Sequence, residues 1–481
     1  MLKNFLRDEN GAGSAWAIMW VIICVGLGGL ALDGSNAWRH KQMLRATADT
    51  AAHAALVTLE RGGTPDQARA VAAEIAHANL PVGKFGDVVP DPATDIQIGR
   101  YQAASGTITS AANSNAVAVT TKRNAGANSQ VTTFFLRLIG FTGWDVAAQG
   151  AAAITNTERC DNDGIFAHGQ VHLSNQNDFR EGYCVHSQNF VWMPQQNQWF
   201  ADTSMSMPDL TLCEDKCVNT ANPGVEEAMS EMNLLLPQFG TLVDATLASF
   251  YGTGPETIKQ AFFTGKALDG DLSPLLAAGI GTEGLALGST LTLTEEQFES
   301  ITTLPEGLVY MVDCSAGHGQ GHDTTSNGRL ELTPNEDDSA VTNLAIITNC
   351  KIDIVGSLTT SAALIVTSDT GSNAAQAAIS GSADSNLGTA GSYCSTSEHT
   401  GLLAKGRIHF AAKLTANNVT FMTSDEIHFA AKANDESTHT GTMILTDSDV
   451  HITSDHIFHG YPGNSGTYVD PVPRIIHFVH I

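Results

Sequence analysis

Hydrophobic positions form an unbroken run near the start of the chain. Between Ala12 and Leu32 only glycines and one serine interrupt the apolar residues, and no charged residue occurs. About 20 such residues suffice to cross the hydrocarbon core of a bilayer. The run leads into Asp33 and a helical pattern, and it is longer than the apolar part of a secretory signal. We expect a retained transmembrane helix over 12–32 behind a cytoplasmic tail, 1–11. A cleaved signal and a buried helix of a soluble core are the alternatives.

The pattern beyond the run changes to that of an amphipathic helix ending near Gly62 and Gly63. Thr64-Pro65-Asp66-Gln67 is a capping box with proline at the first helical position, so a second helix is predicted to reach about Asn79. The two form a helical hairpin. The first helix offers a narrow apolar face with residues three and four apart, comprising Leu44, Ala48, Ala51, Ala52, Ala55, Leu56 and Leu59.

The period then shortens to two residues, which predicts neighbouring antiparallel strands separated by Gly, Ser and Asn turns. The segment TTFFLRLIGF, residues 132–141, predicts a short buried helix. These elements complete a small α+β module over 33–155. Its predicted strands are Asp95–Tyr101, Gly106–Ser110, Asn115–Arg123 and Trp144–Thr155.

Beyond this module, short strands alternate with polar turns. RIHFAAK (Arg407 to Lys413) and EIHFAAK (Glu426 to Lys432) repeat after 19 residues, a period that fits one coil of a β-solenoid. We expect a mainly β C-terminal domain, a right-handed β-solenoid, with its first part at 156–221 and its main part at 304–481. A jelly roll or sandwich is the alternative.

The segment between these two parts, 222–303, has helical spacing. It carries a second capping-box pattern, Thr294-x-x-Gln297. A mainly helical insertion is therefore expected there, which caps the solenoid or binds a partner.

Cysteine usage indicates the compartment. Cys24 lies in the apolar run, and the other seven cysteines lie beyond residue 155. No two of these seven have the spacing of a zinc site together with a matching second pair, so disulfides in an oxidising compartment are expected. The bulk of the chain is then periplasmic or extracellular. Proximity favours a Cys160–Cys184 pair, and the odd number leaves one thiol free or paired between chains. The disulfide candidates are Cys160, Cys184, Cys213, Cys217, Cys314, Cys350 and Cys394.

The net charge is concentrated in the distal part. Residues 1–155 carry 12 Lys and Arg against 11 Asp and Glu, whereas residues 156–481 carry 12 against 39. An acidic surface of this kind repels nucleic acid and anionic lipid. A nucleic-acid partner is therefore not expected.

Two groups of residues suggest site chemistry. The run 317–323 offers two imidazoles and a carboxylate for metal binding or acid–base work, but a glycine loop without further donors is a poor metal site. In the repeat, His409 and His428 alternate with apolar residues and should stack one coil apart, where they bind metal, respond to pH or merely face water. We expect no cofactor, no metal site and no catalytic residue. The remaining distal histidines are His451, His456, His459, His477 and His480.

The order of the N-terminal segments resembles TadG-like proteins of Tad (tight adherence, Flp) pilus systems. The resemblance covers roughly 5–155, and its most specific piece is Asp33-Gly34 followed by the alanine-rich helix. It implies a single-pass inner-membrane protein whose periplasmic body assists assembly or anchoring of a pilus. Related TadE-type pseudopilins carry a Glu five residues after a processing Gly. Trp16 holds that position here, which favours retention of the segment.

These observations together predict a non-enzymatic, membrane-anchored accessory protein of the bacterial inner membrane with a cytoplasmic N-terminus. Its expected partners are the inner membrane and other pilus-assembly components, with the cell surface and peptidoglycan as further candidates. Two other functions stay open: a membrane-tethered adhesin, and a polysaccharide-acting β-solenoid enzyme.

Overall fold

A computed structural model describes most of the chain, which divides into two compact units. Unit 1 comprises Met1–Thr155 with Ile475–Ile481, and unit 2 comprises Asn156–Arg474. The described residues are 10–60, 63–102, 107–109, 114–156, 163–213, 221–314, 328–332, 341–355, 358–381, 384–389, 398–430, 436–460 and 474–478.

A single continuous helix, α1 (Asn10–Glu60), contains both the apolar run and the alanine-rich stretch after it. The predicted capping box begins the second helix, α2 (Pro65–Asn79): the Gln67 N–H donates to the Thr64 hydroxyl at 3.2 Å, and the Thr64 N–H donates to the Gln67 side chain at 2.7 Å. This confirms the predicted helical hairpin. Two single-turn helices follow, α3 (Val82–Phe85) and α4 (Pro92–Asp95).

The sheet of unit 1 has the predicted antiparallel pairing among its first strands. Small residues allow α1 to pack closely on it, since a Cβ at Gly150 would overlap the α1 backbone at Ala48 and Asp49. A 3-10 turn, Ala125–Ala127, follows the strand Ala116–Arg123. The sheet has the spatial order β2 (Thr107–Thr109), β1 (Ile96–Gln102), β3 (Ala116–Arg123), β6 (Val146–Asn156) and β34 (Arg474–Phe478).

A two-stranded hairpin projects between β3 and β6. Its strands are β4 (Val131–Thr132) and β5 (Gly143–Trp144), and a 3-10 turn, Leu136–Ile139, lies between them. The prediction of a buried helix here is wrong, because the side chains of Phe134 and Leu138 are 81% and 77% exposed. One 3-10 turn at the end of a hairpin has too little protein around it to cover apolar residues on every side.

Unit 2 is built from parallel sheets, the three largest of which have eleven, eight and six strands. The eleven-stranded sheet has the order β14 (Met229–Glu231), β13 (Ser204–Met207), β10 (Cys184–Ser187), β7 (Gly164–Ala167), β31 (Met443–Thr446), β28 (Val419–Thr423), β25 (Thr400–Ala404), β22 (Leu364–Thr367), β19 (Ala345–Thr348), β16 (Val309–Asp313) and β15 (Thr290–Thr294).

The other sheets contain shorter strands. The eight-stranded sheet has the order β11 (Val191–Trp192), β8 (Val171–Leu173), β32 (Val450–Ile452), β29 (Ile427–Phe429), β26 (Ile408–Phe410), β23 (Ile379–Gly381), β20 (Lys351–Ile354) and β17 (Arg329–Leu332). The six-stranded sheet has the order β12 (Gln198–Trp199), β9 (Asp178–Arg180), β33 (His456–His459), β30 (Ser437–Thr440), β27 (Leu414–Asn417) and β24 (Ser385–Leu387). A further pair is β18 (Val341–Thr342) with β21 (Thr360–Ser361).

Successive strands of the chain visit these sheets in rotation, as β7, β8, β9 and then β10, β11, β12 show. Each round places a strand in register on the previous one, so Ile165, Val185 and Met205 are aligned at intervals of 20 residues. The aligned apolar residues form one continuous core. Parallel pairing of this kind is not that of an antiparallel jelly roll or sandwich.

The chain does not build this stack from one end to the other. The first round, β7 to β9, pairs directly with the last round, β31 to β33, although they are far apart in sequence. The two ends of the eleven-stranded sheet are instead β14 and β15, which come from the middle of the chain. The stack thus has its chain entry and exit in its interior.

Buried polar side chains fix the register between rounds. Asn177 donates from its amide to Asn197 at 2.9 Å, and the Asn197 N–H donates to the Asn222 side chain at 3.0 Å, with all three at most 2% exposed. At the ends of strands in the large sheet, hydroxyls donate to a carbonyl of the neighbouring round and accept from the N–H two residues on; they belong to Thr348, Thr367, Thr423, Thr446 and Ser187.

The segment 222–303 is less uniformly helical than expected, because it also supplies β14 and β15, the two end strands of the large sheet. Its longest helix packs along β22, β25, β28 and β31, and Asp447 accepts hydrogen bonds from the N–H groups of Phe239 and Gly240 at the start of that helix. The predicted capping box at Thr294 is confirmed. The helices of the segment are α5 (Val225–Ala228), α6 (Phe239–Tyr251), α7 (Thr257–Phe263), α8 (Ser273–Ala277) and α9 (Glu295–Glu299). Unit 2 has two more 3-10 turns, Leu210–Cys213 and Ala374–Gln376.

Candidate functional site

The apolar stretch of α1 is exposed rather than buried in protein. By length and composition, it is the one helix in the described chain that could cross a membrane. Apolar side chains are exposed all around it, among them Trp16, Trp20, Ile22, Leu27, Leu30 and Leu32, each between 49% and 66%. In water such a surface would be unfavourable. This exposed apolar surface requires an apolar environment to cover it.

Asp33 directly follows the apolar stretch, and its side chain binds the β4–β5 hairpin of unit 1. Its buried carboxylate accepts hydrogen bonds from the N–H groups of Phe134, Phe135 and Leu136 at 2.8, 3.0 and 2.8 Å. Burial raises the pKa of the Asp33 carboxyl, but these three hydrogen bonds outweigh it, and the net pKa lies below the ordinary value. The ionised side chain therefore fixes the hairpin against α1. Sequence reasoning noticed Asp33-Gly34 but did not find this contact.

The predicted stacking of His409 on His428 is confirmed, and the column is longer than expected. The two are paired in register with a ring separation of 4.8 Å. His451 follows at 5.9 Å from His428, and His172 of the first round follows at 4.4 Å from His451. No sequence repeat indicates that His172 belongs to this column. It joins the column where the first round pairs with the last, between strands that are far apart in the chain.

The environment of this column keeps its imidazoles neutral. Burial first, then neighbouring His409, Arg407 and His451, lower the pKa of His428 to about 4. Arg407 donates to the Nδ1 atom of His428 at 2.9 Å, which requires that atom to be unprotonated, since a guanidinium only donates. Burial likewise lowers the pKa of the other members of the column, His172, His409 and His451.

A carboxylate accompanies the histidine column. Glu426 forms an ion pair with Arg407 at 2.9 Å and lies 3.8 Å from the Nε2 atom of His451. Its burial raises the pKa of the Glu426 carboxyl, with smaller contributions from Asp425 and Asp449, against the lowering effect of Arg407. Among the described residues, no group of three or more His, Cys, Asp or Glu is arranged to hold a metal ion.

The distal histidine His456 does not face water but lies in the protein core. His456 is fully buried, as is His439, and the Nε2 atom of His439 lies 2.9 Å from the Nδ1 atom of His456. Burial lowers the pKa of His456 to about 3. The pair stacks with Phe458, so it belongs to the core. His459 lies 3.4 Å from Arg180 at the edge of the same sheet.

A polar groove crosses the outer side of the six-stranded sheet where the first and last rounds meet. Its lining combines amides and carboxylates, groups that hydrogen-bond the hydroxyls of a sugar. Asp178 also pairs with Arg180 at 3.0 Å. The polar lining residues are Gln176, Asp178, Gln196, Gln198, Glu436 and Asp455.

Cysteines link neighbouring rounds of unit 2. Cys314 and Cys350 form a disulfide, and both lie at the ends of strands in the large sheet. Cys184 and Cys213 are also disulfide-bonded. Cys160 lies outside the described residues, so the Cys160–Cys184 pairing stays a prediction. Within the described residues Cys24 is the free cysteine, and it is exposed. Other predicted positions lie outside the described side chains: Cys160, Cys217, Cys394, the 317–323 cluster, His477 and His480.

Comparison with protein families assigns both units. The family described as Domain of unknown function (DUF7867) matches residues 164–460, more than half of the chain and nearly all of unit 2, from β7 to the end of β33. The chain belongs to the DUF7867 family. A family model of TadE/G-like proteins of Flp pilus assembly matches residues 11–73, and one of Tad-like Flp pilus assembly matches 45–152. No curated protein and no solved structure matches.

The N-terminal matches confirm the resemblance to TadG-like proteins of Tad/Flp systems. They support a pilus-associated accessory role and association with pilus-assembly components. In this DUF7867 protein the TadE/G-like match contains the exposed apolar stretch and Asp33, whereas the histidine column and the polar groove lie in the DUF7867 region.

Proposed function

We propose that this chain is a non-enzymatic, membrane-anchored accessory protein of Tad/Flp pilus assembly or anchoring. The apolar stretch of α1 spans the bacterial inner membrane once, the N-terminus is cytoplasmic, and unit 2 lies in the periplasm or beyond. The exposed apolar surface of α1 within a TadE/G-like match is the observation that carries this proposal. The disulfide in unit 2 supports an oxidising compartment.

The positions of the exposed tryptophans agree with a single span. Trp16 and Trp20 lie at one end of the apolar stretch, and Trp38 lies just beyond the other end. At about 1.5 Å per residue, the apolar stretch 12–32 is about 30 Å long, and Trp38 lies about 9 Å beyond Leu32. A hydrocarbon core is about 30 Å thick, and tryptophan is enriched at both of its surfaces.

The proposal includes a right-handed β-solenoid for unit 2. Rotation of the chain through the large sheets, with in-register parallel pairing, supports a solenoid. Its surface is acidic, and such a body stays soluble without adhering to anionic lipid. The solenoid therefore serves as a spacer or contact surface for other pilus components, and peptidoglycan and the cell surface are further candidate partners.

A deletion and complementation experiment tests this function in a bacterium with a Tad system. Loss of the protein should reduce surface pili, and the full chain should restore them. A chain that carries both Leu27→Arg and Leu30→Arg should fail, because two charges within the span oppose insertion. A matched control with isoleucine at both positions should restore pili. Unchanged pilus number in the deletion, or a soluble mature protein starting beyond Asp33, would contradict the proposal.

The polar groove favours one second candidate, a polysaccharide-acting or polysaccharide-binding role. The carboxylates of Asp178, Glu436 and Asp455 line this groove together with glutamine amides. Incubation of the full chain with cell-wall and capsular glycans should then give cleavage or retention that is lost on Glu436→Gln. Glycans left intact and unbound by the native chain would reject this candidate.

A further inference from the structure

The hairpin tip, defined as residues 133–142 between β4 and β5, exposes large apolar side chains. Phe134 is 81% exposed, Leu138 77% and Phe141 42%, and the first two exceed the exposure of Ile22, 66%, in the apolar stretch of α1. The backbone beneath them is well held: the Thr133 hydroxyl donates to the Phe141 carbonyl, and the Phe141 N–H donates to the Leu136 carbonyl at 3.1 Å. A defined structure thus presents these side chains outward.

The contacts of the tip place it at the end of the apolar stretch. Asp33, the first charged residue after that stretch, accepts the three N–H groups of Phe134 to Leu136. Gly29 is buried by Phe135, whose Cβ would lie 2.5 Å from a Cβ added at Gly29. Gly29 lies one turn inside the stretch, about 6 Å along the helix from Asp33. The tip therefore reaches past the boundary of the stretch.

We propose that the hairpin tip inserts into the headgroup and acyl boundary of the bilayer that α1 spans. This inference rests on the proposed membrane anchor and adds a second attachment to it. Amphipathic elements at a bilayer surface bury their apolar side about 5–10 Å deep, the depth that the Gly29 contact sets. Asp33 stays ionised above that level because the tip's own N–H groups satisfy its carboxylate.

Polar residues around the tip agree with an interfacial position. Arg137 is exposed between Phe134 and Leu138, and a long basic side chain next to buried apolar groups extends its charge to the lipid phosphates. Trp38 is 64% exposed about one turn beyond Asp33, where aromatic side chains of membrane proteins concentrate. The tip and Trp38 thus lie on opposite sides of Asp33 along the helix, about 6 Å inside it and about 8 Å outside it, which places both in the interface on one side of the bilayer.

Fluorescent labelling tests this placement. The full chain is reconstituted in vesicles of phosphatidylethanolamine and phosphatidylglycerol, and a polarity-sensitive probe is attached at Leu138→Cys in a Cys24→Ser background. The signal of the labelled Cys24→Ser chain without the new cysteine is subtracted. We expect a blue-shifted emission and at least about twofold quenching by lipids that carry a nitroxide near the headgroup. A probe at Phe134→Cys should behave alike. The matched control, Asp66→Cys beyond the far end of α1, should show neither effect.

Labelling of native Cys24, with the signal of the labelled Cys24→Ser chain subtracted, separates the two proposals. Quenching of the Cys24 probe by nitroxides deep in the bilayer supports the anchor. If Cys24 is deep but the Leu138 probe stays in water, the tip inference is overturned and the anchor stands. If the Leu138 probe is shielded from water but not quenched by lipid, a protein covers the tip and the inference is again overturned. A Cys24 probe in water overturns the anchor itself.

Discussion

The buried ring of His399 should make unit 2 sensitive to acid. Its Nδ1 atom lies 2.8 Å from the Asn418 side-chain oxygen and its Nε2 atom 3.0 Å from the Thr420 hydroxyl. Burial lowers the pKa of His399 to about 4, against the raising effect of the Asn418 hydrogen bond, and Lys266 lowers it further. In the unfolded chain the ring has its ordinary pKa of 6.5.

The sign and size of the effect follow from proton linkage. Between pH 6.5 and about 4 the unfolded state binds a proton that the native state does not, so the free energy of unfolding falls as the pH is lowered. The full pKa difference corresponds to about 3 kcal/mol, at about 1.4 kcal/mol per pH unit. The neutral His399 ring contributes this stability in full above pH 6.5, the pKa of the unfolded chain. The contribution is lost as the pH falls to about 4, the pKa in the folded chain.

Urea unfolding of the full chain across this window provides the assay. His399→Gln removes the titrating ring, so its free energy of unfolding should fall with a slope smaller than that of the native chain by about 1.4 kcal/mol per pH unit. Thr420→Val is the control: it retains the ring and should lower stability at every pH. Burial also lowers the pKa of His186 to about 3, so part of the slope should persist. Equal slopes for the native chain and His399→Gln would refute the reasoning.

Three further predictions concern packing and cross-links. Gly150→Ala should destabilise unit 1 by about 1–3 kcal/mol, because its Cβ overlaps the α1 backbone; thermal unfolding followed by circular dichroism should show this, while Gly126→Ala, which has room for a Cβ, should leave the midpoint unchanged. Asn197→Ala should lower the free energy of unfolding in urea by at least about 2 kcal/mol, because buried partners lose their hydrogen bonds; an unchanged midpoint would show that the ladder does not stabilise the stack. Joint replacement of Cys314 and Cys350 by alanine should cost about 4 kcal/mol, since their disulfide closes a separation of 36 residues; the native chain under reducing conditions, where the disulfides of Cys184 and Cys213 also open, should lose at least as much, and no loss in either case would contradict the estimate.

Local chemistry made several elements predictable. The capping boxes at Thr64 and Thr294 begin helices because each hydroxyl and its partner glutamine satisfy N–H groups that the helix leaves unbonded. The 19-residue repeat predicted that His409 and His428 would be paired, because an identical strand one round later occupies the same register. The antiparallel strands of unit 1 were predictable from alternation and turn residues for the same local reason.

Other features depend on contacts that no local pattern records. The pairing of β7 with β31 joins strands of unlike sequence from opposite ends of unit 2, so the extension of the histidine column to His172 was missed. The spacing of Asn177, Asn197 and Asn222 was a usable signal for the buried amide ladder. The apolar tip at Phe134 was predicted to be buried because hydrophobicity alone does not distinguish a protein core from an outward-facing surface.

The interior entry and exit of the stack has a mechanical consequence. Traction on the polypeptide at either connection of unit 2 is delivered to β7 and β33, which have hydrogen-bonded neighbours on both sides. The chain therefore does not unravel from an unpaired end strand. The outermost strands, β14 and β15, come from the middle of the sequence and do not receive the force directly. A body built in this way should resist being peeled apart by shear, because the force enters through strands that are paired on both sides.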